Sequence, residues 1–262
     1  MRYAVGVEYD GTAFHGWQIQ DGVRTVQEQV QNALSIVANH PVKVQCAGRT
    51  DAGVHAFNQI IHFDSDSNRS IRNWLLGTNV NLPPDVNINW IKQVQDEFHA
   101  RFSAVSRRYR YVIYNGSTRS SIWRNRAVWE RRKLDVNSMQ EAARSLVGTH
   151  DFSSFRAIGC QAKSPVRTLS YLKVAKSGDT ISLELEANAF LHHMVRNIAG
   201  VLIAIGCDDR PVEWAKEVLE HRDRTLGGVT APPQGLYFTG VSYPSEYAIP
   251  DSCGVKDPVS RG

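Results

Sequence analysis

Cysteine is scarce: four residues in 262, Cys46, Cys160, Cys207 and Cys253, with no paired spacing among them. That pattern excludes a disulfide framework and a cysteine-rich zinc site, and it fits reduced thiols in a cytoplasmic protein. Long apolar runs are missing as well. The longest, 198–205, contains a glycine and follows Arg196, so it is too short to span a bilayer. The opening MRYAVGVEYDG alternates and carries early charge, the mark of a strand and not of a secretory leader. No Gly-x-Gly-x-x-Gly and no phosphate-binding P-loop occurs, so no nucleotide or flavin cofactor is expected. Nor does any His, Cys, Asp and Glu spacing suggest a metal.

What is present is ordinary in bulk and uneven in detail. Hydrophobic residues make up 42% and charged residues 21%, as in a globular protein with a real core. The formal net charge is only +4, yet residues 101–133 hold ten Lys and Arg against the single Glu130. The rest of the chain is therefore net acidic. A concentrated basic surface attracts polyanions and releases their counterions on binding. Interleaved there are Tyr109, Tyr111, Tyr114, Trp123 and Trp129, rings suited to stacking on unpaired bases beside arginines suited to phosphate. The stretch is read as a nucleic-acid surface with Arg107, Arg108 and Arg110 as its contacts. A solvated strand edge kept basic against aggregation is the alternative.

Hydrophobic periodicity gives the first hundred residues as β-α-β-β-α-β. Strands fall at 2–10, 42–47, 59–64 and 86–92. One helix starts at Thr25, where Thr25-x-x-Glu28 matches a capping box, and another covers 70–76 and ends near Gly77. A second half opens with the alternating RRYRYVIYN at 107–115. It continues with a helix at 136–147, a loop over 150–155, strands at 168–176 and 180–188, helices from 191 and from Pro211, and a strand at 236–243. Strand pairs mixed with helices predict an α+β fold with mainly antiparallel sheets. The expected divisions are an N-terminal lobe (1–105), a C-terminal lobe (106–243) and a loosely held tail (244–262).

The chemistry concentrates in Cys46-Ala-Gly-Arg-Thr-Asp-Ala-Gly-Val-His55, a polar loop between two strands. Gly48 and Gly53 permit backbone angles or approaches that a Cβ would block. Asp51 lies two residues after Arg49, and a carboxylate near a guanidinium is favoured in its ionised form. Such a carboxylate can act as nucleophile or base. It can also do no more than bond turn amides. Adjacent His192 and His193 would point to different faces of the helix from 191, so they are read as structural or RNA-facing and not as metal ligands.

The string GRTDAGVHA at 48–56, with a following strand ending HFD, resembles the catalytic loop of the tRNA pseudouridine synthase I (TruA-type) family. Three further segments resemble that family: HARFS running into RYRY at 108–111, ANAFLHHMVRN at 187–197 and APPQGLY at 231–237. Asn58 departs from the family pattern, where a small residue is usual. The resemblance implies a fold of two lobes whose sheets join centrally, with a basic cleft between them. It implies that Asp51 is the catalytic aspartate, that Tyr109 stacks on the target base, that Arg196 pairs with the aspartate, that Leu236 packs against the base, and that Arg49 positions RNA or backbone. It further implies isomerisation of uridine at positions 38 to 40 of the tRNA anticodon stem-loop, no cofactor, tRNA as partner, and a homodimer.

Overall fold

The computed structural model describes residues 1–250, which form two compact units. The first contains Met1–Val105, and the chain returns to it at Tyr237; the second is Ser106–Leu236.

In the first unit, β1 (Arg2–Tyr9) leads through a glycine-bounded turn to α1 (Val26–Ala38), β2 (Gln45–Cys46), β3 (His55–Asp64), α2 (Ile71–Asn81) and β4 (Val86–Val94). β1 is the central strand, antiparallel to both β3 and β4. Its Val5 and Val7 are buried with Ile60, Phe63 and Trp74, where Tyr3 stacks on Phe63 at 5.2 Å. Expected and observed elements agree in order but differ at their ends, each for a local reason. β2 is shorter than 42–47 because the amides of Val42 and Val44 bond the side chains of Ser35 and Gln31 on α1. The Thr25 capping box does not form: Thr25 is fully buried, and its hydroxyl has no partner among the described residues. α2 continues through Gly77, where a Cβ would sit 3.1 Å from Val37 on α1, so that glycine is a helix–helix contact and not a stop. Asn58 occupies a bulge between β1 and β3, buried beside Gly6.

The second unit runs β5 (Ser106–Tyr114), β6 (Val128–Trp129), α3 (Val136–Arg144), β7 (Gly148–Asp151), β8 (Val166–Ser177), β9 (Thr180–Ala187), α4 (Met194–Gly206) and α5 (Trp214–His221). β5 pairs with β9, β9 with β8 and β8 with β7, all antiparallel; short β6 joins β5 in parallel. β9 shows the reason in its sequence: Ile181, Leu183, Leu185 and Ala187 are buried and alternate with more exposed Ser182, Glu184 and Glu186. α4 carries Met194, Val195, Ile198, Ala199, Val201, Leu202 and Ile205, all buried, and packs on α3 and β5. Residues 150 and 151 of the expected loop belong to β7: Gly-Thr-His-Asp lacks apolar alternation, and pairing with β8 makes it a strand.

The last strand, β10 (Leu236–Ser242), corrects the expected second lobe. It pairs in parallel with β3, Tyr237 opposite His55 and Phe238 opposite Ala56, which returns the chain to the first unit. Of the expected loose tail, 244–250 is held: Lys92 Nζ donates to the carbonyls of Tyr247 and Ala248 (3.2 and 2.8 Å), and Tyr247 packs on Phe98. Residues 251–262, with Cys253, lie outside the described part. No helix among the described residues is long and apolar enough to cross a membrane.

His62 on β3 makes the first unit acid-sensitive. It is buried, and its Nδ1 accepts the Ala100 amide at 3.1 Å. Burial first, then the nearby His99 and Arg2, push it down to about 4. The folded form therefore holds the neutral ring while the unfolded chain protonates near pH 6.5. The stability is complete above about pH 6.5 and is lost as the pH falls toward 4, by at most about 3 kcal/mol. Urea unfolding between about pH 7 and pH 4 should show this decline, and His62→Gln should flatten it. Equal slopes in the two proteins would assign the acid loss to other groups.

Candidate active site

A loop rich in glycine and polar residues has no side-chain core of its own, so its peptide groups must find partners elsewhere. The loop 47–54 between β2 and β3 finds them in the first unit. Gln59 on β3 grips Gly48 at both ends, donating from Nε2 to its carbonyl at 2.5 Å and accepting its amide at 3.4 Å. Ala47 donates to the Ile60 carbonyl at 2.8 Å. Thr50 is buried; its hydroxyl lies 2.8 Å from the phenol of Tyr9, and its carbonyl accepts Trp17 N at 3.0 Å. Gly53 N donates to Phe14 O at 3.2 Å, and Val54 N to Asp51 O at 3.2 Å. Burial pushes the Tyr9 phenol far up, so it stays protonated and serves as a fixed hydrogen-bonding group.

The turn at 10–17 wraps this loop closely. At Gly11 a Cβ would meet the Val54 carbonyl at 2.0 Å; at Gly16, whose φ is +89°, it would meet the Thr50 carbonyl at 2.6 Å. No side chain fits at either place. His55, buried at the head of β3, has Nδ1 within 3.1 Å of Gly11 N and 3.2 Å of an Asp10 carboxylate oxygen. The His55 contact, with Thr12 adding to it, holds the Asp10 carboxyl well below the usual range. Tyr237 then stacks on His55 and Phe57, with centroids 4.8 and 5.0 Å away. In the middle of this frame Asp51 is half-buried and Arg49 exposed.

The other expected residues belong to the second unit. Tyr109 on β5 lies opposite Leu185 and meets the Phe190 ring edge-on at 4.9 Å. Arg196 is in the first turn of α4. Its Nε donates to Ala231 O at 2.8 Å, and Ala231 N returns a bond to Arg196 O at 3.1 Å. Gly200, one turn on, lets the same segment approach: a Cβ there would lie 1.8 Å from the Val229 carbonyl. Asn197 completes the attachment. It donates to Phe155 O and accepts from Thr230 Oγ1 and Arg224. Leu236 is buried at the start of β10.

The basic strand divides by face. Arg108 and Arg110 lie opposite Glu186 and Glu184, and Arg110 pairs with Glu184 at 2.8 Å with its side chain only 17% exposed. Arg107 instead donates to the Asn188 carbonyl at 2.9 Å. Arg132, counted in the same basic run, bonds Glu130 and Asp209. The local surplus is therefore smaller than the linear count, because carboxylates distant in sequence offset part of it. Tyr111 also departs from its expected stacking role: it is fully buried, and its hydroxyl donates to Pro232 O at 2.8 Å. His192 and His193 precede α4 and do not sit on its opposite faces. His193 is its left-handed N-cap, and the two rings lie 4.0 Å apart.

Sequence reading missed the supports: Tyr9, Gln59 and Asn197. The usable signal was polarity at a position where the apolar pattern wants a hydrophobe, as with Gln59 before two isoleucines and Asn197 in an apolar helix.

A family model described as tRNA pseudouridine synthase matches residues 6–103 and 142–244. The interval between, which holds Tyr109 and the basic strand, lies outside that match. Curated relatives cover it. The chain is 58% identical to the tRNA pseudouridine synthase A of Alcanivorax borkumensis over 95% of this chain and 94% of that one. It is 54% identical to that of Pseudoalteromonas atlantica, over 95% of each. To that of Pseudomonas aeruginosa it is 55% identical, over 95% of this chain and 88% of the other. The family match extends into both units and includes the Asp51 loop, the relatives match over nearly their whole length, and the chain belongs to the tRNA pseudouridine synthase family.

Proposed function

We propose that this protein isomerises uridine to pseudouridine at positions 38, 39 and 40 in the anticodon stem-loop of tRNA, with Asp51 as the nucleophile. The observation that carries the reading is the Asp51 loop, whose backbone is fixed by Tyr9, Phe14, Trp17 and Gln59 while the carboxylate itself is half-buried. Preorganisation of this kind spares the reaction the cost of ordering the nucleophile.

The reaction breaks the bond from ribose C1′ to uracil N1 and forms one from C1′ to C5; C5 loses a proton and N1 takes one up. It is redox-neutral, so a carboxylate, a base platform and a cation suffice. Asp51 attacks the uracil ring or the sugar carbon. Tyr109 stacks on the base and relays the C5 proton to solvent, its hydroxyl giving up one proton as it takes another, while Arg196 offsets the carboxylate's charge and Leu236 shields the base. Arg49 orients the RNA. The target nucleotide must leave its stack, at a cost of a few kcal/mol, which contacts from Arg107 and Arg108 to the phosphates offset. Arg110, already paired with Glu184, contributes mainly to the strand ladder. A homodimer, in which one tRNA touches both copies, and a cytoplasmic location complete the reading.

Three measurements test it. Asp51→Asn should abolish tritium release from C5-labelled uridine in unmodified tRNA while tRNA affinity stays within about tenfold, or roughly 1.4 kcal/mol; release by that variant would refute the nucleophile. Arg107→Ala with Arg108→Ala should weaken tRNA binding and reduce the salt slope by about two, whereas Arg110→Ala should lower the melting temperature and leave the slope nearly intact. Tyr9→Phe leaves the Thr50 hydroxyl without its partner. It should cost about 1 kcal/mol of stability and lower kcat severalfold at constant KM; an unchanged kcat would show that Asp51 needs no such brace.

A further inference from the structure

The connection from β4 to β5 ends in an exposed aromatic residue that the proposed chemistry does not use. Phe102 is 76% exposed. A lone surface phenylalanine is usually incidental, but this one stands on a built support. His99 Nδ1 accepts the amides of both Arg101 and Phe102 (3.1 and 3.2 Å), and His99 and Ser103 exchange two further bonds at 3.0 and 2.9 Å. The tip is thus a closed turn with little freedom. Beneath it, His62, His99 and Phe102 form a column of rings with centroid spacings of 4.5 and 4.4 Å, rooted in β3. The root is fixed in turn, since Ala100 N donates to His62 and Ala100 O accepts the Tyr243 hydroxyl at 2.6 Å.

Charge is arranged around the exposed ring. The Arg101 guanidinium lies 5.6 Å from its centroid. The positive charges of Arg101 and Arg49 both reach the Cys46 thiol, at the entrance to the Asp51 loop. The charges of Arg101, beside the tip, and of Arg49 thus act on the same point of the first unit. A rigid aromatic face, open to solvent and beside an arginine, suits an unpaired nucleobase with its phosphate.

We propose that Phe102 is a stacking platform for an unpaired base of the RNA substrate, adjoining the target uridine, with Arg101 bonding the phosphate beside that base. The inference rests on the tRNA reading above and adds to it a contact in the first unit. An anticodon loop offers bases already free of pairing, so occupying the platform needs no further strand opening.

The test uses the full chain and an unmodified tRNA transcript, with binding measured across a salt series and isomerisation measured in single turnover. Phe102→Ala and Phe102→Leu should each lose about tenfold in affinity at every salt concentration, with the wild-type slope, because a neutral stacking contact releases no counterions. Phe102→Trp should restore affinity, Arg101→Gln should lower the slope by about one, and all four should melt like wild type. A wild type that binds and isomerises tRNA beside a Phe102→Ala variant of equal affinity overturns the platform alone. So does a Phe102→Ala variant whose affinity is intact but whose oligomeric mass changes, which would give this face to a second copy. A wild type that neither binds nor isomerises tRNA overturns the tRNA reading and the platform with it.

Discussion

A carboxylate proposed to react must be presented by a backbone whose own hydrogen bonds are settled elsewhere. Otherwise the side chain folds back onto the nearest amide, as aspartates in turns commonly do. In this protein the settlement comes from residues on both sides of the loop in sequence. Tyr9 and Trp17 take Thr50, Phe14 takes Gly53, and Gln59 takes Gly48. Gly11 and Gly16 have no Cβ because the loop's carbonyls occupy that space. The turn at 10–17 and the strand β3 are, in this sense, parts of one device for holding Asp51.

The second unit solves a related problem for a cation. An arginine among apolar side chains on α4 needs polar partners that fix its guanidinium. A carbonyl meets that need, and Ala231 O receives Arg196 Nε. The segment carrying that carbonyl is fixed by Gly200, by the return bond from Ala231 N and by the buried Asn197 network. That carbonyl helps to orient the guanidinium at the start of the helix.

The main chain of this fold was legible wherever burial was one-sided. The alternation of β9 and the apolar stripe of α1 follow from period and composition alone, while β1 and β5 are buried over consecutive residues and were legible from their β-branched and aromatic content. What escaped were elements made by pairing and not by pattern. β7 is polar and exists through β8, and β10 returns to the first unit through two parallel pairs that no local signal marks. The candidate site divides in the same way. Asp51, Tyr109, Arg196 and Leu236 entered through family resemblance in their motifs. The surplus of positive charge near β5 was overestimated, since a linear count cannot see Glu184 or Asp209 folding back onto Arg110 and Arg132.

β3 shows how much a single strand can carry when its buried positions are polar. His55, Asn58, Gln59 and His62 are all nearly inaccessible, which ordinarily costs a strand stability unless each group is bonded. Three of them have work outside the sheet: His55 meets the turn at Gly11, Gln59 holds the start of the Asp51 loop, and His62 holds the turn below Phe102. Because these side chains project from one strand, the Asp51 loop and the Phe102 turn share a rigid reference. A shift of β3 by one residue would reverse every one of those side chains, so the strand's register fixes both features together. Polar residues in the core are thus retained here for position, at a cost in burial energy that the surrounding valines, isoleucines and aromatics of the first unit cover.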